Sequence, residues 1–231
     1  MDDCSYRINL TLKYFGIMEK TNLQVIPTIQ EAIQIGIKNL PSLIAAAAMY
    51  VLTIWIPYIN VGTTIAMQSI PGKLANGEII SPLFIFDEKY RHDFSAFFLL
   101  CGFIYMVTLV GFFFMIIPAI VISISMSLAI YILVDFDKSP TEAMKLSNQA
   151  TSGHKWTIFG INLVMCVVVG ILFFIAGLIG QIADIVDTIL TLAVAICVIP
   201  FFLGADAVIY RELYLKTLEA PEVTVEEKEV V

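Results

Sequence analysis

The chain has 231 residues, of which 59% are hydrophobic and only 14% charged, and its mean hydropathy is +0.89. A soluble domain carries roughly a quarter charged residues, so this composition excludes a soluble globule and a disordered chain. With 13 Lys plus Arg against 20 Asp plus Glu, there is also no basic footprint for nucleic acid. What remains is an all-α integral membrane helix bundle.

Residues 1–26 are polar to mixed. Met1-Asp-Asp-Cys4-Ser-Tyr-Arg7 lacks the basic start, short apolar stretch and cleavage site of a signal peptide, and reads as a cytoplasmic N-terminal segment. Residues 27–216 read as a polytopic transmembrane domain. It opens on Thr28-Ile-Gln-Glu31, whose capping-box spacing predicts a short surface helix ahead of a span. A first span follows near 38–57, with Leu43, Ala45 to Ala48 and Trp55, and ends at the break Pro57-Tyr-Ile-Asn60. Residues 60–77 are apolar but diluted by Gln68 and Ser69. By hydropathy alone they fit a short span, a re-entrant piece or an interfacial helix.

Ser81-Pro82 opens a second, degenerate surface elbow. The uncharged run from Phe94 to Val134 covers 41 residues. One crossing needs about 20, so two spans are predicted, near 95–116 and 118–135, with Pro118 as the corner. Ser139-Pro140-Thr-Glu142 is then a capping box with Pro at the first helical position. Behind it Ala143, Leu146 and Ala150 share one face, and Lys145, Asn148, Gln149 and Ser152 the other. Gly153 is placed to cap the end, just before Trp156. This predicts an amphipathic elbow helix lying on the membrane surface. Two more spans follow, near 156–179 and 187–210. Residues 217–231, rich in Glu with Lys228 alone among them, read as a disordered acidic tail.

The positive-inside rule chooses among the readings of 60–77. If that segment crosses, six helices form three hairpins and both termini share one side. All 13 Lys and Arg then fall in segments 1–37, 77–93, 136–155 and 211–231, or at an adjoining helix end. With five crossings they split between the two faces. Six crossings with cytoplasmic termini is the expected topology. The three elbow-plus-hairpin units also suggest an internal repeat, although any surface helix feeding a span shares these features.

No catalytic or metal constellation is evident. His92 and His154 lie far apart in charged links, and a catalytic metal site needs about three converging ligands. Cys4, Cys101, Cys166 and Cys197 have no ligand spacing, and neither a phosphate loop nor a nucleophile elbow is present. No catalytic, cofactor-binding or metal site is therefore predicted. The central parts of the spans hold no ionisable residue, the usual pointer to transport. Asp206 lies nearest, and two readings stand: an ion or proton ligand, or a structural acid paired with Arg211 or another base on the cytoplasmic side. The second is favoured, because an acid near a helix end reaches water cheaply. Gln68, Asn162, Ser123 and Ser127, with Ser125 and Gln181, could line a polar cavity; such residues more often let helices pack and hydrogen-bond. Pro200 should kink the last span or free a carbonyl.

A resemblance adds to this. The stretch Pro118 to Val134-Asp135, then Ser139, Pro140, Glu142-Ala143, Ser147, Gly153 and Trp156, with Tyr210-Arg211-Glu212-Leu213, resembles a group of bacterial inner-membrane proteins. That group includes the membrane domain of some glycerophosphoryl diester phosphodiesterases. The resemblance covers roughly residues 100–215, the N-terminal half matching only in layout. It implies a six-helix membrane domain in the bacterial inner membrane, without hydrolysis, since the phosphodiesterase barrel is absent. The expected function is a non-enzymatic membrane-organising, lipid-interacting or accessory protein. Its expected partners are membrane lipids and another membrane protein, and no oligomeric state is implied. The alternative is a carrier or channel for a neutral or lipid-like solute.

Overall fold

A computed structural model describes residues 23–92, 94–180 and 184–219. The opening segment up to residue 22, Gln181 and the acidic tail beyond residue 219 lie outside the described residues. Those described are helical, without a strand. The long elements are α1 (Val25–Thr53), α2 (Pro57–Ala75), α4 (Phe94–Phe114), α8 (Lys155–Gly180) and α9 (Asp184–Tyr210). Between them lie a 3-10 turn (Pro82–Phe86), a short α3 (Lys89–His92), α5 (Ile116–Met126), α6 (Ala129–Phe136) and α7 (Pro140–Thr151). A π turn (Arg211–Leu215) and α10 (Lys216–Glu219) extend α9.

Among the described residues, five helical segments are long and apolar enough to cross a membrane: Val25–Thr53, Phe94–Phe114, Ile116–Phe136, Lys155–Gly180 and Asp187–Leu218. Their outer faces carry exposed Phe98, Phe112, Phe113, Leu172 and Phe174, among many others. Soluble monomers rarely leave contiguous apolar patches beyond a few hundred Å²; here each of these segments carries several exposed large hydrophobic side chains. The chain is a polytopic membrane protein.

Three boundaries differ from expectation. The surface helix expected at Thr28 is instead part of α1, which runs unbroken from Val25 with Gln24 before it; Thr28 is buried inside the helix rather than capping it. The corner expected at Pro118 sits at Met115, whose extended backbone separates α4 from α5; Pro118 lies in the first turn of α5, where its missing N–H costs nothing. The span 116–136 is broken at Ser127–Leu128 into α5 and α6.

α2 is 19 residues long, about 28 Å at 1.5 Å per residue. It folds back along α1, and hydroxyls zip the hairpin: Thr53 Oγ1 is 3.4 Å from Thr63 Oγ1, and Tyr50 Oη 3.3 Å from Thr64 Oγ1. Ile65, Ala66, Ser69, Ile70 and Leu74 are buried, so α2 is an interior helix packed against α1, α6 and α9. This explains its weak hydropathy, because a helix shielded by its neighbours need not be apolar enough for lipid.

α1 and α9 form the other main contact, running antiparallel. A methyl group on Gly204 would approach Ala32, and one on Gly36 would approach Pro200 and Phe201. The turn around Pro200 thus packs against a glycine, and α9 continues through it as one helix.

Candidate functional site

The start of α1 and the ends of α2, α6 and α9 meet at one end of the bundle, where the elbow α7 also packs. The elbow forms as expected. Ser139 is its N-cap and accepts a 3.3 Å hydrogen bond from the Glu142 N–H, Pro140 takes the first helical position, and Lys138 pairs with Glu142 at 3.3 Å. Gly153 adopts φ +83°, the left-handed conformation that ends the connection before α8.

Ser147 has a role that its place in the elbow did not reveal. Its buried hydroxyl donates to the Ser125 carbonyl at 2.7 Å and accepts from the Leu128 N–H at 3.2 Å. Both groups belong to the break between α5 and α6. A side chain inserted into the i→i−4 ladder is a recognised cause of helix bending, and here that side chain comes from the elbow. The amphipathic helix is therefore bolted into the span that precedes it.

Asp206 is half-buried and accepts a hydrogen bond from the Tyr131 hydroxyl at 3.2 Å. The expected partner, Arg211, is engaged elsewhere, 2.7 Å from Glu31 at the start of α1 and 3.1 Å from Glu212, which also receives Lys216 at 2.7 Å. One turn beyond Asp206, the wholly buried Tyr210 packs edge-on against Tyr131, with ring centroids 5.4 Å apart, and stacks on Tyr214 at 5.7 Å. Asp135 is its electrostatic neighbour. Tyr210 Oη and Asp135 Oδ2 are both buried and lie outside hydrogen-bond geometry, with no other partner among the described residues.

Tyr131 is not among the residues expected from the sequence, and Asp135 and Tyr210 enter there only through the resemblance, although the sequence carries a signal for all three. Tyr131-x-x-x-Asp135 and Asp206-x-x-x-Tyr210 place an acid and a tyrosine one helical turn apart on each helix, in opposite order. Two helices that run toward the same end in register then set each acid against a tyrosine.

The neutral polar residues line neither of the two crevices between helices. Gln68 and Ser123 are exposed and Asn162 is half-buried on another helix. Ser127 bonds its own helix at the Ile124 carbonyl, and Ser125 bonds that of Val121. Two crevices between helices are mainly apolar instead. A crevice of about 510 Å³ lies between α1, α8 and α9, lined by Ile33, Ile37, Val168, Leu172 and Val194 among others. A second, of about 340 Å³, lies between α5 and the start of α8, with Lys155 and Trp156 at its edge. Among the described residues no group of three His, Cys, Asp or Glu could hold a metal. Comparison with protein-family models, with curated proteins and with solved structures finds no match.

Proposed function

We propose that this chain is a non-enzymatic, lipid-interacting membrane protein that holds phospholipid acyl chains between its helices and lies on the cytoplasmic surface through its elbow. The observation that carries this is the contrast between its crevices and its polar residues. The two crevices described above are lined mainly by apolar side chains, and none of Gln68, Asn162, Ser123 and Ser127 lines either of them. A carrier for a neutral polar solute needs such residues around one cavity. Lipid tails need only the apolar crevice.

The same reading includes six crossings with both termini in the cytoplasm of a bacterial inner membrane. Three observations support it. Gly72, near the end of α2, touches Asp135 at the end of α6, so α2 returns to the end of the bundle from which α1 starts. Its length of about 28 Å is close to the roughly 30 Å hydrocarbon core. Trp55, 86% exposed in the α1–α2 hairpin, and Trp156, 77% exposed beside the elbow, sit at opposite ends, as interfacial aromatic belts require. The bacterial assignment rests on the sequence resemblance.

Native mass spectrometry of the protein extracted in a mild detergent tests the lipid reading. Adducts of phospholipid mass are expected on the folded protein, and Val194→Phe, which fills the larger crevice, should reduce them. A lipid-free protein that passes small polar solutes across reconstituted vesicles would instead establish the carrier.

A further inference from the structure

The smaller crevice carries charge as well as apolar surface. Ile117, Ile120 and Ile124 form one wall on α5, and Phe159 forms the other on α8, with its ring 6.1 Å from that of Trp156. Lys155 closes the surface end, where Asn148 of the elbow accepts one of its N–H donors at 3.1 Å. An ammonium has three donors, so Asn148 orients the group without neutralising it. Among the described residues no carboxylate pairs with Lys155. From Ala143 to Ala183 the sequence contains no Asp or Glu, while it does contain Lys145, His154 and Lys155. The nearest acid along the chain, Glu142, is held by Lys138. Lys145 and Lys155 thus give this corner basic groups, in a chain of net charge −7.

We infer that this crevice is a binding site for one anionic phospholipid. The acyl chain lies between α5 and α8, the phosphate on the Lys155 ammonium, and Trp156 sits at the headgroup level. The inference rests on the lipid-interacting reading above and names the lipid class. Apolar contact alone would accept any phospholipid; the unneutralised lysine at the mouth supplies the selectivity. A basic residue near the membrane surface is worth about 1 kcal/mol with anionic lipid, which corresponds to a preference of about fivefold.

Trp55 and Trp156 are the two tryptophans in the chain, so Trp55→Phe makes Trp156 the sole reporter. This variant is reconstituted in vesicles of mixed phosphatidylglycerol and phosphatidylcholine, with bromine on the acyl chains of one lipid or the other. Quenching of Trp156 should show about a fivefold preference for phosphatidylglycerol, reduced to about one by Lys155→Gln and retained by Lys155→Arg. The preference should also fall as salt is raised, a readout that needs no lysine variant. Equal quenching by the two lipids in the Lys155 protein, or an unchanged preference in Lys155→Gln, would overturn the inference. Either result would leave intact the lipid adducts expected of the purified protein, so the two readings fail separately.

Discussion

A methyl group at Gly204 would lie 2.5 Å from the carbonyl oxygen of Ala32, closer than a Cβ carbon approaches a backbone oxygen. The first and last long helices thus touch backbone to backbone, 172 positions apart in the chain. Such close approach is how membrane helices associate when lipid removes the hydrophobic drive between them. Gly204→Ala should therefore push α1 from α9 and cost about 1–3 kcal/mol, the usual range for overpacking. Gly36→Ala meets Phe201 Cδ1 at 3.1 Å, the end of a side chain that can turn, as well as the Pro200 carbonyl. It should cost less. Unfolding midpoints of the two variants in detergent would check the order.

Ser147 is the second point of strain if disturbed. Ser147→Ala would leave both the Ser125 carbonyl and the Leu128 N–H without a partner in a buried position. Each such group costs about 1–3 kcal/mol, so a loss of at least about 2 kcal/mol is expected. Ser123→Ala, on the exposed face of the same span, should change stability little. Thermal unfolding of the pair separates a bolt from a generic serine.

The two tyrosines that face the acids should behave differently. Tyr131→Phe removes the hydrogen bond to Asp206 and should destabilise by about 1.5–3 kcal/mol, the range for bonds to charged groups. Tyr210→Phe removes a hydroxyl that lies beside Asp135 but outside hydrogen-bond geometry, and should cost less than Tyr131→Phe. A double-mutant cycle with Asp206→Asn should show coupling for Tyr131 and none of similar size for Tyr210.

Much of the architecture is legible in the sequence because lipid imposes a simple rule on exposed helices. Uncharged runs located α4, α8 and α9 to within a few residues, and the Ser139-Pro140-Thr-Glu142 box located α7. What the runs cannot show are features created by contacts between distant segments. The break at Ser127–Leu128 is bridged by a hydroxyl from residue 147, a contact that the local sequence does not show. α2 looks weak because its burial by α1, α6 and α9 relieves it of facing lipid. Asp206 was found as the acid nearest a span, but its partner, Tyr131, is 75 residues away. The elbow at Ser81-Pro82 is a 3-10 turn and α3, while the segment at Thr28 is absorbed into α1, so the three elbows differ in form.

The crossing of α2 decides the topology, and cysteine labelling in intact cells tests it most directly. Cys4, Cys101, Cys166 and Cys197 would first be replaced by serine or alanine, and single cysteines then placed at Trp55, Gly77 and Lys145. A membrane-impermeant maleimide should label the cysteine at position 55 from outside, and those at 77 and 145 only after the cells are opened. Labelling of position 77 from outside, or protection of position 55 together with the other two, would contradict the six-crossing account.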